Sequence, residues 1–218
     1  MCDTFKSNSN FYDTFNYYVY KQIPFGKKIL DVGCGTGLLG KILRSEGKVS
    51  YIVGIEKDKY MAEIARPNYD MIVNTDIENV SNLPLDKSFF DVIIFSDILE
   101  HLKKPLEVLI NFTQYLSENG FFLISVPNVA FILIRLSLLF GNFDYSLQGG
   151  ILDENHLRFF TRKSLKKLLN SAELKIEYLR GYNQVKKKYF LLKILGFILP
   201  NLFSIQFLAK AKRAPSFD

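Results

Sequence analysis

The side chains able to do acid–base chemistry fall in a few short groups. There are two histidines, His101 and His156, and imidazole is the side chain that titrates nearest neutrality. His101 closes the run Ser96-Asp97-Ile98-Leu99-Glu100-His101-Leu102, and His156 lies within Gly150-Ile151-Leu152-Asp153-Glu154-Asn155-His156-Leu157-Arg158-Phe159-Phe160-Thr161. Two further acids, Glu56 and Asp76, stand just after apolar runs. Three alternate glycines, Gly33, Gly35 and Gly37, follow Ile29-Leu30-Asp31-Val32. Glycine at such spacing lets a backbone turn sharply or lie close against a ligand. The cysteines, Cys2 and Cys34, supply neither a disulfide framework nor a metal-type pair.

The elements that must hold these groups can be read from hydrophobic periodicity. An apolar strand enters the glycines, and a helix from Leu38 to Ser45 leaves them. The start of that helix would add outward-pointing N–H groups to the turn, as an anion or cofactor cradle needs. Tyr51–Glu56, Met71–Val73, Phe90–Phe95 and Phe121–Val126 read as further strands. Helices around Tyr60–Ala65 and Pro105–Ser117 separate them, the latter stopped by Asn119-Gly120. This alternation predicts a doubly wound α/β sheet with its ligand across the carboxyl edge. A helix over Phe11–Ile23 precedes the sheet.

The glycine stretch admits three readings. A dinucleotide fingerprint needs a third glycine where Leu38 stands. A P-loop fits Gly35 to Lys41 in spacing but puts Ile42 where a hydroxyl should hold magnesium. D-x-G-x-G-x-G fits from Asp31 to Gly37. On these residues the chain resembles the class I S-adenosylmethionine-dependent methyltransferases at their first motif. The resemblance implies a Rossmann-like, mostly parallel seven-stranded sheet with an antiparallel last strand and helices on both faces. It implies a donor site built from Asp31, Gly33, Cys34, Gly35, Gly37, Glu56, Lys57, Asp76, Ile77, Ser96 and Asp97. Glu56 would accept the ribose hydroxyls, Asp76 the adenine amino group, and Ile77 would pack on the ring. The leading helix would cover the cofactor, with Tyr12 in a lid role. Asp97, Glu100 and His101 also resemble an acid-x-x-acid-His set that binds a divalent ion in some quinone O-methyltransferases. The widespread metal-free form of the Glu-His turn favours no metal here.

The second half adds to this plan. Val129–Phe140 reads as an apolar helix too short to span a bilayer, which needs about 20 residues. The Gly150–Thr161 segment resembles a signature of bacterial methyltransferases found with polysaccharide and lipopolysaccharide biosynthesis. As an insertion over the donor's methyl group, it makes His156 the candidate general base, beside His101. Arg158 either orients an anionic acceptor or ties down the loop. Thr161 reads as the N-cap of a helix through Asn170. A strand at Leu174–Leu179, an apolar helix at Tyr189–Leu199 stopped by Pro200, and a last strand at Phe203–Lys210 complete the chain.

Composition sets the remaining bounds. Nearly half of the 218 residues are hydrophobic and the net charge is +6, so one large domain over 1–218 is expected. Residues 1–25 would form its leading segment and 129–161 its insertion. The charge is divided: residues 1–161 carry 15 basic and 19 acidic side chains, residues 162–218 carry 13 and 3. A basic section of this kind suits an anionic membrane surface, nucleic acid or simply solvent. Lys186, Lys187, Lys188 and Lys193 flank an apolar helix, which suits peripheral contact with an anionic membrane and packing over the sheet equally. No amino-methylation motif follows the Phe90–Phe95 strand, which argues against a nucleic-acid substrate. A polar N-terminus predicts a cytoplasmic protein, peripheral at most on the inner membrane surface. The expected reaction is methyl transfer from S-adenosylmethionine to a hydroxyl of a sugar, glycolipid precursor or other small metabolite.

Overall fold

The apolar runs assemble into one seven-stranded sheet in the computed structural model, which describes residues 15–79, 82–183 and 190–214. Its strands are β1 (Lys27–Val32), β2 (Val49–Glu56), β3 (Met71–Asn74), β4 (Phe90–Ser96), β5 (Leu116–Pro127), β6 (Leu174–Tyr182) and β7 (Gln206–Arg213). They lie in the order β3-β2-β1-β4-β5-β7-β6. The pairs β1–β2, β1–β4, β2–β3 and β4–β5 are parallel, and β7 is antiparallel to both β5 and β6. The chain reverses direction across the sheet between β1 and β4, so the exits of β1, β2 and β4 converge there.

Why the middles of the central strands are largely apolar follows from how their alternate residues are used. Leu30, Val32, Ile93, Phe95, Phe122 and Ile124 face one layer, which holds Leu109 and Phe112 of α4 (Pro105–Thr113) and Leu165 and Leu169 of α6 (Arg162–Ser171). Ile29, Ile52, Val92, Ile94, Phe121 and Leu123 face the other. That layer holds Val19 of α1 (Tyr17–Lys21), Leu39 and Leu43 of α2 (Leu38–Ser45), and Ala62 and Ala65 of α3 (Lys59–Ala65). A strand buried on both faces has no polar side to show. Each fully buried aliphatic side chain contributes about 1.5–3 kcal/mol through apolar burial.

Several element ends differ from the sequence expectation. Helix α4 ends at Thr113, and Leu116–Gly120 belongs to β5. Gly120 is not a helix stop; a Cβ on it would meet Leu116 at 2.8 Å and the Phe90 carbonyl at 2.9 Å. The expected Val129–Phe140 helix shortens to α5 (Ile132–Leu139), none of whose residues is buried. Thr161 does cap α6, through a reciprocal box with Ser164. Pro200 ends α7 (Phe190–Ile198) and also starts the short α8 (Pro200–Phe203), since proline suits a first helical turn. Phe203 and Ser204 therefore precede β7. Helix α7 docks where Gly196 leaves room for Asn183 Nδ2, 2.5 Å from where a Cβ would sit. Tyr12, the earlier part of the leading helix, Lys186, Lys187, Lys188 and the Lys193 side chain lie outside the described residues. Among the described residues no helix is long and apolar enough to cross a membrane.

Candidate active site

The three glycines do different work. All hold positive φ, +74° at Gly33, +54° at Gly35 and +79° at Gly37, a region that side chains disfavour. A Cβ on Gly33 would strike Ile98 at 2.1 Å, and one on Gly37 would lie 2.8 Å from the Ala65 backbone. Those two glycines close the turn against the β4 exit and α3. Gly35 has nothing within 4 Å of its ideal Cβ position, so it is the glycine that faces open space. The Gly33 and Cys34 N–H groups donate to the Ile55 carbonyl at 2.8 and 3.0 Å, locking the turn to β2. Beyond it α2 begins at Gly37 with no side chain capping its N-terminus.

Two residues of the motif support this cradle from beneath. Asp31 is only 3 % exposed, and its carboxylate accepts the Tyr69 hydroxyl at 2.6 Å. Burial, only partly offset by that hydrogen bond, raises its pKa from 3.8 to about 6. The Cys34 side chain packs over Gly54, its Sγ 2.8 Å from where a Cβ would sit. Burial pushes that thiol's pKa far up, so it stays protonated. Both side chains thus hold the turn from beneath.

Glu56 stands where the β2–α3 loop meets the cradle. Its carboxylate accepts the Gly35 N–H at 3.0 Å and the Asp58 N–H at 2.9 Å, which fixes it beside the open glycine. Lys57 is exposed next to it, its carbonyl bonded to Asn74 Nδ2. Asp76 and Ile77 follow β3 on the same edge. Asp76 is exposed and accepts from the Glu78 N–H and Asn79 Nδ2, a local turn that orients its carboxylate.

At the exit of β4, Asp97 takes a left-handed φ of 55°. Its carboxylate accepts Asn16 Nδ2 at 3.3 Å and Gln206 Nε2 at 3.0 Å, and its N–H donates to Ser125 Oγ. Ser96 Oγ lies 3.3 Å from Ser125 Oγ in the same network. Asn16 also caps α1, accepting the Tyr18 and Val19 N–H groups, and donates to the Tyr182 hydroxyl at 2.5 Å. Asn16, Gln206, Ser125 and Tyr182 were absent from the sequence-based site. Only Asn16 carried a local signal, an Asn just ahead of an apolar helix.

The two histidines, 55 residues apart in the chain, meet edge to face with ring centroids 4.8 Å apart. Backbone bonds stitch their loops together: the Leu157 and Arg158 N–H groups donate to the Glu100 carbonyl at 2.8 and 2.9 Å. The Arg158 guanidinium donates to the Lys103 carbonyl at 2.6 Å, so it ties the loop. Both imidazole Nδ1 atoms face carbonyls, His101 that of Asn155 at 3.1 Å and His156 that of Ile151 at 3.0 Å. A carbonyl only accepts, so each Nδ1 carries the proton and each Nε2 offers a lone pair. Burial lowers the His101 pKa, keeping that ring neutral. Glu100 is 1 % exposed, and burial holds its pKa well above the usual carboxylate range. Asp97 does not join this group as the acid-x-x-acid-His pattern implied; His156 takes that place.

The sequence profile of the methyltransferase domain matches residues 13–179. The chain belongs to the methyltransferase domain family. Among curated relatives it is similar to ubiquinone biosynthesis O-methyltransferases. One from Rickettsia typhi is 27% identical over 158 residues, covering 71% of this chain and 62% of the relative. One from Coxiella burnetii is 24% identical over 180 residues, covering 79% and 75%. The chain thus spans less than two thirds of the Rickettsia relative's length. The fold matches a SAM-dependent methyltransferase from Archaeoglobus fulgidus (TM-score 0.62, 17% identity, 88% and 89% covered). It also matches an S-adenosylmethionine-dependent methyltransferase from Mesorhizobium loti (TM-score 0.62, 17% identity, 90% and 96% covered). The family accordingly implies S-adenosylmethionine as the cofactor of this methyltransferase. The polysaccharide association implied by the Gly150–Thr161 segment has no counterpart in the names of these relatives.

Proposed function

We propose that this methyltransferase transfers the methyl group of S-adenosylmethionine to a hydroxyl of a small acceptor, with a hydroxylated aromatic ring favoured over a sugar or glycolipid precursor. The observation that supports it most is the return of the Gly150–Thr161 loop onto the β4 exit, which sets His156 against His101 and Glu100. Methyl transfer from a sulfonium needs in-line positioning and, for a neutral hydroxyl, a proton acceptor. His156 Nε2 is the base in this reading, and His101 and Glu100 are its neighbours. Phe143, Tyr145 and Phe159 form a ring cluster with centroids 5.7–6.5 Å apart, and Phe159 lies 6.4 Å from His156. Such rings suit a flat acceptor. The O-methyltransferase names of the relatives point the same way.

The test is incubation with methyl-labelled donor and separate panels of catechols, phenols and sugars, read by mass spectrometry. Methyl ethers on phenols are expected. Ethers confined to sugars would move the acceptor to glycans, and methylation of nitrogen alone would refute the hydroxyl reading. A His156→Ala variant should lose turnover far more than donor affinity.

A membrane-surface partner forms a second part of the reading. Helix α5 and the end of α7 expose Leu133, Leu139, Phe140, Phe197 and Ile198 at 62–87 %, and patches of this kind mark contact surfaces. Co-flotation with anionic but not zwitterionic vesicles is the expected result; no flotation with either removes the proposal.

A further inference from the structure

We propose that Tyr69 is a positioning residue for the donor, setting the Gly33–Gly37 turn from beneath through Asp31 and the start of α2. The inference rests on donor binding at that turn. Tyr69 is buried, and its ring fills a slot left open by three glycines. A Cβ on Gly37 would lie 2.9 Å from the ring, one on Gly40 2.5 Å and one on Gly54 3.0 Å. These glycines belong to the turn, α2 and β2, so a side chain at any of them would crowd the ring in a close-packed interior. At the ring's tip the hydroxyl donates to the Asp31 carboxylate at 2.6 Å and accepts the Gly40 N–H at 3.3 Å. Burial holds the Tyr69 pKa well above its usual value, so the hydroxyl keeps its proton. Gly37, at the N-cap of α2, has no side chain to offer, and the first N–H groups of a helix have no partner within it. The Tyr69 hydroxyl supplies one from outside the helix.

The segment that carries Tyr69 is itself fixed to α2 and β2. Arg44 Nε donates to the Asn68 carbonyl at 2.8 Å, and Arg44 Nη2 lies 2.7 Å from Asp70 Oδ1. Asp70 Oδ2 accepts the Ile52 N–H at 2.7 Å. Arg44 stands in the last turn of α2, so residues 68–70 hold that helix at both ends. Removing the Tyr69 hydroxyl leaves Asp31 and the Gly40 N–H without this partner while the ring still fills the slot. The turn then spends time in arrangements that do not accept the donor, and apparent affinity falls by the fraction that remains competent. Asp31 adds an effect of charge, because its carboxylate lies beneath a turn that would receive a cationic sulfonium ligand. The Tyr69 bond favours the ionised form of Asp31, while burial and Glu56, at the end of β2, oppose it. Cys34, the other titratable side chain on the turn, stays protonated beside it.

The experiment titrates S-adenosylmethionine by calorimetry into the full chain and into Tyr69→Phe and Gly40→Ala, from pH 5 to pH 8, with circular dichroism to show that each is folded. In the wild type, affinity should rise with pH through about 6, as Asp31 ionises. Tyr69→Phe should bind about tenfold more weakly at pH 7.5. Its rise in affinity should also move to higher pH, since the bond that favoured the carboxylate is gone. Gly40→Ala keeps the hydroxyl and is otherwise a helix-favouring change. Its Cβ displaces the ring, so it should weaken binding as well. Wild-type affinity in either folded variant overturns the proposal. So does a weaker Tyr69→Phe whose pH profile is unmoved, because the hydroxyl would then not act through Asp31. Absence of donor binding by the folded wild-type protein strikes the donor site itself, a separate failure from either of these.

Discussion

Replacing Asp31 by Asn isolates the electrostatic cost built into the base of the cradle. Asp31 is buried, and its pKa is raised from 3.8 to about 6. The native state therefore holds a proton that the unfolded chain releases between these values. The stability Asp31 contributes is present below about pH 4, is lost as the pH rises through 6, and stays lost above. At 1.36 kcal/mol per unit, the shift corresponds to about 3 kcal/mol between pH 4 and pH 7.5. Asn keeps an oxygen for the Tyr69 hydroxyl but cannot ionise. Its own packing and amide costs are independent of pH and cancel when the two pH values are compared. Urea unfolding of both proteins at pH 4 and 7.5 should show the wild type losing about 3 kcal/mol more than Asp31→Asn as the pH rises. Parallel pH dependences, or a steeper one in the variant, would refute the burial argument.

Other outcomes follow from the same geometry. Gly37→Ala, with φ at +79° and Ala65 in the way, should cost about 2–4 kcal/mol in thermal unfolding. Gly35→Ala meets open space, so it should cost about 1–2 kcal/mol yet weaken donor binding more than Gly37→Ala does in its folded fraction. Thr161→Ala removes the cap of α6 and should cost about 1 kcal/mol in chemical unfolding.

Local signals carried the fold well because the physics of the central sheet is local. Double-sided burial makes the middles of β1, β2, β4 and β5 largely apolar, and three glycines of positive φ mark the turn after β1. The start of β5 was misread because Leu116 continues the helical spacing of α4, and only its pairing with Phe90 makes it a strand. The donor edge was legible as spacing, with Glu56 falling beside Gly35. Long-range partners were not. Asn16 reaching Asp97 across 81 positions leaves no trace in sequence periodicity. The meeting of His101 with His156 depends on backbone bonds from an irregular loop to the Glu100 carbonyl. Such a loop has no repeating pattern from which to read them, so the two histidines appeared as separate candidates.

The most direct test of the account is calorimetric titration of S-adenosylmethionine into the wild-type protein and Glu56→Ala. The account predicts one saturable site in the wild type, weakened by about tenfold or more in the variant, which corresponds to about 1.4 kcal/mol. No binding to the folded wild-type protein, or equal affinity in the two, would contradict a donor site at the Gly35–Glu56 edge.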